Sequence, residues 1–274
     1  MLARRGVLLA AGLVAAGGAR AVGLRRPVFD AHVHYSHDAV IAVPPEQAVA
    51  ILRGAGLYRA MVSSSDDEGT QKLYALAPDL VIPSLRPYRR RADLSGWTSE
   101  PAIIDYVERR LDGFRYRAIG EFHVFGDEVK RPVVRRVVAM AARHGLWLHA
   151  HSDAAAIDLL FAEDPGARVL WAHSGFEQPE GLVPMLKRHA RLYCDLAFQG
   201  DHAPGGVLLP AWRALFEAFP DRFLVGTDTF VPERWHAIGS HADSVRGWVS
   251  GLAEPLAEAI AWRNGDALFS LLPR

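Results

Sequence analysis

The sequence feature that most constrains the fold is an alternation of short apolar segments with helical patterns, which begins at Arg26 and recurs eight times. Short segments rich in β-branched residues predict strands, and longer segments with a 3.6-residue apolar period predict helices. The predicted strands are Val28–His34, Arg59–Ser63, Leu80–Leu85, Arg117–Phe122, Leu146–His151, Arg168–His173, Leu192–Ala197 and Phe223–Asp228. Eight strands, each followed by a helix, are typical of a (β/α)8 barrel of about 250 residues.

Several of the predicted helices begin with proline or with a serine or aspartate cap, as helix N-termini prefer. The helices are Pro45–Gly54, Thr70–Ala77, Pro101–Leu111, Pro132–His144, Ala154–Phe161, Glu180–His189, Leu208–Phe219, Asp243–Gly251, Pro255–Arg263 and Gly265–Leu272. A doubly wound open sheet is the competing fold, but the glycine-rich turn of its nucleotide-binding version does not follow the first strand. No linker divides the chain, so residues 22–274 are predicted to form a single α/β domain, a TIM barrel.

The first 21 residues have the pattern of a secretory signal peptide. Arg4 and Arg5 precede an apolar run that ends at Gly18, and residues 19–21 read Ala-Arg-Ala, a small-x-small cleavage site. The run is shorter than the ~20 residues that cross a bilayer. The paired arginines fit a twin-arginine signal loosely, and an ordinary Sec signal fits equally well. We expect export to the periplasm or the medium, and a cytoplasmic location if this segment is not a signal.

Charge and cysteine content limit the partners and the kind of metal site. Thirty-one basic residues balance 31 acidic residues, so no overall field favours nucleic acid or an anionic membrane. Cys194 is the single cysteine, which excludes an internal disulfide and a thiolate zinc cluster. Twelve histidines are many for this length, and imidazole is a common metal ligand. A metal site would therefore consist of histidines and carboxylates.

Residues that can bind a metal stand at the ends of five predicted strands, which is where a barrel of this kind has its active site. His32 and His34 are two residues apart in one strand, so both imidazoles can face one ion. The other candidates are Glu121, His149, His151, His173 and Asp228. Each has an ordinary structural explanation by itself, such as a helix cap or an ion pair. Together they favour one site, because burying them costs several kcal/mol unless an ion satisfies them.

The order of these residues resembles the amidohydrolase superfamily of metal-dependent hydrolases, and the chain is most similar to its amidohydrolase-related branch. The similarity covers roughly residues 29–271. It is carried by FDAHVH (29–34), GLWLHAH (145–151), VLWAHSG (169–175), LVGTD (224–228) and NGDALFSL (264–271). The resemblance implies one or two divalent ions, with zinc as the first choice and manganese or iron as alternatives. It also implies homodimers formed through the outer helices, although no surface is identified.

The resemblance also implies the ligand set. His32, His34 and Asp228 would hold the more buried ion, His151 and His173 would hold a second ion or orient the substrate, and Glu121 would bridge the two ions.

Three further residues are candidates for contact with the substrate. His149 and His151 share one face of their strand, and His151 is the preferred ligand because it is nearer the strand end. His149 would then lie one layer deeper, as a candidate substrate contact. Arg86 and Tyr88 follow the third strand and could receive a carboxylate or phosphate, since guanidinium matches planar anions. A structural arginine is the alternative.

A zinc ion brings the pKa of bound water to about 7. The expected reaction is attack of this metal-activated hydroxide on an ester, lactone or amide carbonyl of a small molecule. Asp228 would be general base and then acid, and His173 would bind metal or polarise the substrate oxygen. The sequence leaves open two other reactions, phosphoester hydrolysis at a two-metal site like that of related deoxyribonucleases, and decarboxylation. It also leaves open two roles without turnover, an exported metal-binding protein and a zinc that only stabilises the barrel.

Aromatic residues also stand near the strand ends, and they could line an apolar pocket or pack between loops. They are Trp97, Phe125, Trp171, Phe176, Phe198, Phe230 and Trp235. The longest predicted loop, residues 86–97, could cover the mouth of the barrel. Specificity in this fold comes from the βα loops, so the sequence alone does not name the substrate.

Overall fold

A computed structural model describes residues 25–198 and 200–269. Eight parallel strands are hydrogen-bonded in the order β1 to β8. The strands are β1 (Val28–His34), β2 (Leu57–Ser63), β3 (Val81–Leu85), β4 (Ala118–His123), β5 (Trp147–His151), β6 (Val169–Trp171), β7 (Leu192–Asp195) and β8 (Phe223–Leu224). Amides of Ala31 and His34 donate to the carbonyls of Val225 and Thr229 at 2.9 and 2.7 Å. These bonds nearly close the barrel, and the predicted (β/α)8 fold is confirmed.

Helices surround the strands in the expected alternation. They are α1 (Asp38–Ala42), α2 (Pro45–Gly54), α3 (Glu68–Leu76), α4 (Asp93–Gly96), α5 (Ala102–Gly113), α6 (Pro132–His144), α7 (Ala154–Glu163), α8 (Pro179–Arg188), α9 (Pro210–Ala218), α10 (Pro232–Val249), α11 (Glu254–Glu258) and α12 (Asn264–Phe269). Within the described residues no helix is both long and apolar enough to cross a membrane. The predicted signal peptide and the end of the predicted helix Gly265–Leu272 lie outside the described residues.

The ends of the helices follow from local sequence. Proline is in the first turn of six of these helices, where its missing N–H would have no helical partner. Helices α2 and α6 have the bounds that the sequence predicts. In α6, Val133, Val134, Val137, Val138 and Ala141 are buried, with the spacing of three and four residues that places them on the face toward the barrel.

The interior of the barrel is apolar at the N-terminal end of the strands. One buried cluster there consists of Phe29, Ala31, Met61, Ile82, Ala118, Trp147, Leu170, Leu224 and Phe269. Helix α12 covers this end, because its Phe269 ring stacks on Phe29 with centroids 6.0 Å apart and lies 5.1 Å from the Trp147 ring. Polar groups are thus confined to the opposite end, where the strands finish.

Strands β6, β7 and β8 end before the predicted residue, and in β6 and β8 this leaves a site residue outside the strand. Strand β6 ends at Trp171, and His173 has a φ of 56° in the tight turn that follows. Strand β8 ends at Leu224, and Asp228 has a φ of 45° in the segment after it. Residues with positive φ leave the extended conformation. His173 and Asp228 therefore lie in turns just beyond their strands instead of at the last strand positions.

Two other segments also differ from the prediction. Helix α10 begins at Pro232, well before the predicted start at Asp243. The predicted loop 86–97 contains the short helix α4, whose Asp93 accepts hydrogen bonds from the backbone and guanidinium of Arg89. This ion pair orders a segment that polar composition alone assigns to a loop.

Candidate metal centre

Histidine and carboxylate atoms from four strands, or the turns after them, meet at one point in the mouth of the barrel. Nε2 of His32 lies 3.0 Å from Nε2 of His34. The His34 atom lies 3.3 Å from an oxygen of Asp228 and 3.3 Å from an oxygen of Glu121. Nε2 of His173 lies 3.4 Å from Glu121 Oε1. Atoms that share one zinc in a tetrahedron lie about 3.4 Å apart, so these residues fit a metal ion.

The two histidines of β1 present the same ring nitrogen to this point because their other nitrogens are engaged. Nδ1 of His34 lies 2.8 Å from the hydroxyl of Ser63. Nδ1 of His32 lies 3.2 Å from Oδ2 of Asp195. Partners of this kind fix the tautomer and ring orientation of metal-binding histidines. Both Nε2 atoms can therefore act as ligands.

The buried carboxylates of the cluster favour a positive charge beside them. Burial raises the pKa of Asp228, but the nearby charge of His32 and contacts with His34 outweigh it and lower the pKa to about 2. Burial likewise opposes ionisation of Glu121, yet His32 and bonds from other histidines hold its pKa well below the usual range. Burial lowers the pKa of His32, and the surrounding carboxylates raise it well above the ordinary value. Without an ion, the positive charge that balances these carboxylates comes from a protonated histidine. A bound divalent cation would supply that positive charge instead.

Glu121 is the most connected carboxylate of the cluster. Its Oε1 lies 2.9 Å from Nδ1 of His151. Its Oε2 accepts a hydrogen bond of 3.0 Å from Nη2 of Arg86, whose Nε donates to the Glu121 carbonyl at 3.0 Å. Arg86 is buried and lines the cavity above the cluster. Its guanidinium is thus committed to Glu121.

The structure does not bring two of the predicted substrate contacts to that cavity. His149 is buried one layer deeper, with Nε2 2.8 Å from Asp195 Oδ2, and burial lowers its pKa to about 4. Tyr88 is also buried, and its hydroxyl accepts a hydrogen bond of 2.8 Å from the backbone amide of His123. His149 lies on the same face of β5 as His151 but two residues nearer the start of the strand, and Tyr88 is buried against His123, so neither side chain lines the cavity.

Sequence reasoning missed Asp195. This carboxylate ends β7, is fully buried, and accepts hydrogen bonds of 3.0 Å from the backbone amides of His173 and Ala197. An acidic residue two positions before the end of the predicted strand Leu192–Ala197 was the available signal, because the ends of the other strands carry the site.

A cavity of about 430 Å³ opens above the cluster. Its wall contains the site residues His34, Glu121, His151, His173 and Asp228, together with Ser36, His37, Asp38, Arg86, Arg91, Leu94, His123, Phe230 and Val231. The side chain of Asp228 is 13% exposed, against 4% for Glu121. Asp228 is therefore the more accessible of these two carboxylates to a molecule in the cavity.

Comparison with known proteins gives a family and several similar folds. A sequence model of one protein family, described as Amidohydrolase, matches residues 29–271. No curated protein sequence matches the chain.

Three solved structures represent the similar folds. An uncharacterised TIM-barrel protein from Bordetella bronchiseptica is 15% identical, with a TM-score of 0.59 over 88% of this chain and 98% of that one. A probable 2-pyrone-4,6-dicarboxylic acid hydrolase from Acinetobacter baumannii, with citric acid bound, is 9% identical, with a TM-score of 0.60 over 89% and 99%. A TatD homologue from Escherichia coli is 17% identical, with a TM-score of 0.57 over 91% and 100%. At these identities the structures show a shared fold.

Proposed function

Because the chain belongs to the amidohydrolase family and is a metal-dependent hydrolase, we propose that it hydrolyses an ester, lactone or amide bond of a small molecule. The observation that carries this proposal is the cluster of donor atoms 3.0–3.6 Å apart at the floor of an open cavity. His32, His34 and Asp228 would hold the ion, with Glu121 and His173 beside them. When bound, a divalent ion such as zinc lowers the pKa of water and polarises a carbonyl.

Asp228 is the proposed proton carrier. With a pKa of about 2 it is ionised at neutral pH, so it can accept the proton of the attacking water. The same carboxyl group can then deliver that proton to the leaving oxygen or nitrogen, since both events occur on the cavity side of the site. Arg234 donates a hydrogen bond of 2.8 Å to the Asp228 carbonyl, which helps to hold this residue at the opening.

His173 is proposed to bind the metal. Its Nδ1 lies 2.9 Å from the carbonyl oxygen of Ala197, and a carbonyl only accepts, so Nδ1 carries the proton. In the neutral form of the ring the lone pair is therefore at Nε2. Such an atom can coordinate an ion, whereas polarising a substrate oxygen would require a proton there.

We also propose one ion instead of two. The guanidinium of Arg86, 3.0 Å from Glu121 Oε2, already neutralises the carboxylate that would bridge a second ion. A second divalent cation beside it would meet direct charge repulsion. This arrangement favours hydrolysis of a carbonyl compound over two-metal phosphoester chemistry.

Elemental analysis and a hydrolysis assay on the same preparations test the proposal. We expect about one equivalent of metal in the wild type and in Glu121→Gln, and hydrolysis of aryl esters or lactones that is lost on chelation and returns with metal. The Asp228→Asn variant should have kcat lowered about 100-fold to 10,000-fold, with an unchanged circular dichroism spectrum. Protein that binds no metal under metal-replete conditions, or turnover that survives chelation, would contradict the proposal.

A further inference from the structure

We infer that the mouth of the cavity recognises an uncharged substrate with an aromatic or similarly bulky apolar group. This inference rests on the proposed function and names the substrate class of the same site. It follows from two independent features, a group of exposed phenylalanines around the opening and the pairing of the arginines in the cavity wall.

Four βα loops each expose one phenylalanine at the mouth. Phe125, Phe176, Phe198 and Phe230 follow β4, β6, β7 and β8, and their exposed fractions are 44, 55, 48 and 43%. The tryptophans that the sequence groups with them, Trp97, Trp171 and Trp235, are at most 1% exposed. Burial of a phenylalanine ring stabilises a folded chain, so four neighbouring rings that stay exposed mark a binding surface.

These rings adjoin the metal centre. Phe176 stacks on His173 with centroids 4.8 Å apart and planes 14° apart. Both Phe125 and Phe176 lie 5.9 Å from the ring of His151. Phe198 lies 6.1 Å from the ring of His173 and 6.2 Å from Phe230. A substrate whose reactive bond is at the metal would therefore place its remaining atoms against phenylalanine.

The backbone at two of these residues is strained. Phe176 and Phe198 have φ values of 56° and 55°, in the left-handed region that is unfavourable for a residue other than glycine. Strain of this kind is concentrated at ligand-binding and catalytic sites. The turns thus hold both rings at the opening at the expense of stability.

Within the described part of the chain, the cavity wall has no unpaired guanidinium for an anionic substrate. Among the described residues that line it, the basic side chains other than histidine are Arg86 and Arg91. Arg86 is bound to Glu121, and Nη2 of Arg91 lies 3.0 Å from an oxygen of Asp38. A substrate carboxylate would have to compete with these two carboxylates for their arginines. The wall therefore favours uncharged substrates.

Matched esters test the inference on the metal-loaded enzyme. We expect kcat/KM for benzyl acetate to exceed that for 4-carboxybenzyl acetate and for ethyl acetate, which have leaving groups of similar basicity, by about tenfold or more, the scale of one apolar contact or one unfavourable charge. In Phe230→Ser we expect KM for benzyl acetate to rise about tenfold, while the metal content stays that of the wild type.

Phe114→Ser is the matched control, because Phe114 is 41% exposed and lies after α5, outside the wall of this cavity. It should leave all three esters unchanged. Equal or faster hydrolysis of the carboxylated ester, or an unchanged KM in Phe230→Ser, would overturn the inference. So would a Phe230→Ser protein that changes from dimer to monomer on gel filtration with its kinetics intact, since the rings would then form a subunit contact.

Failure of the proposed function gives a different result, namely no turnover of any ester by metal-loaded protein. Calorimetric titration with acetanilide and 4-acetamidobenzoate then still tests the substrate class. Binding of acetanilide that is about tenfold tighter, and lost in Phe230→Ser, would support the inference. Equal binding, or tighter binding of the carboxylate, would overturn it.

Discussion

At the scale of single residues, Asp195 connects the metal centre to the layer of the barrel beneath it. Its Oδ2 lies 3.2 Å from Nδ1 of His32 and 2.8 Å from Nε2 of His149. Burial raises the pKa of Asp195, but the charge of His32 and the bond from His149 outweigh it and hold the pKa far below its usual range. The ionised carboxylate keeps a proton on Nδ1 of His32, so that Nε2 is left for the ion.

Replacement of Asp195 should weaken metal binding without removing a ligand. We expect Asp195→Asn to lower metal affinity about 10-fold to 100-fold, the usual effect of losing a partner of a ligating histidine. Competition with a chromogenic chelator measures it. The control is Asp158→Asn, since Asp158 lies on α7 and pairs with Arg188 and His189. Equal affinities in Asp195→Asn and wild type would show that His32 is oriented by other contacts.

His149 should make the apoprotein sensitive to acid. Burial lowers its pKa from 6.5 to about 4, so its contribution to the free energy of unfolding is complete above pH 6.5 and is lost as the pH falls toward 4. Between pH 7 and pH 5 the wild type should therefore lose about 2 kcal/mol more stability than His149→Gln. Urea unfolding at both pH values measures the difference.

Wild type must be compared with His149→Gln because His32 also titrates. The pKa of His32 is raised on folding, so its contribution to stability grows as the pH falls. Equal losses in wild type and His149→Gln would mean that His149 accepts a proton in the folded state.

At the scale of elements, three buried tryptophans hold the loops to the ends of the strands. The indole N–H of Trp97 donates to the His123 carbonyl at 2.7 Å, and that of Trp171 donates to the Ser152 carbonyl at 2.7 Å. Trp235 donates to the His34 carbonyl at 3.1 Å. Each bond joins a loop, a strand end or a helix to the end of another strand. The positions of the site histidines therefore depend on these large rings.

Gly175 shows how closely one ring supports the turn after β6. It has a φ of 64°, and a Cβ at this position would overlap the indole of Trp171. Gly175→Ala should displace the turn that carries His173 and lower metal affinity about tenfold, in addition to the backbone cost.

Gly205→Ala is the control for backbone strain, because Gly205 has a φ of 61° with no atom within 4 Å of the added Cβ. It should cost about 1 kcal/mol of stability and leave metal affinity unchanged. Thermal unfolding and chelator competition on both variants separate the two effects. Equal metal affinities would show that the turn adapts around the indole.

At the scale of the whole molecule, the barrel is apolar at one end and anionic at the other. Phe29 and Phe269 close the N-terminal end, whereas Glu121 and Asp228 repel each other at the mouth. A bound cation would relieve this repulsion and would bind the folded chain alone. Metal binding and stability are therefore linked.

Chelation should lower the Tm. An ion present at 100 times its Kd stabilises the fold by about 2.7 kcal/mol, which corresponds to about 5–10 °C for a domain of this size. Differential scanning calorimetry with and without chelator measures the shift, and added zinc should restore both Tm and hydrolysis. His34→Asn should show a smaller shift. Removal of the metal with no change in Tm would mean that Arg86 and the site histidines compensate the carboxylates without an ion.

The sequence by itself determined the barrel and most of the candidate site. The helices and strands could be predicted because their apolar periods are local properties of the sequence. A ligand at the end of a strand can be assigned to the site once the strand itself is predicted, because all strands of the barrel end on the same side. His32, His34, Glu121 and Asp228 could therefore be assigned to one site from the order of residues alone. Tertiary structure alone decided the bond between Asp195 and His32, which are 163 residues apart, and the division of the aromatic residues into buried tryptophans and exposed phenylalanines. Both depend on the register of distant strands and on the course of the loops, and neither leaves a periodic signal in the sequence.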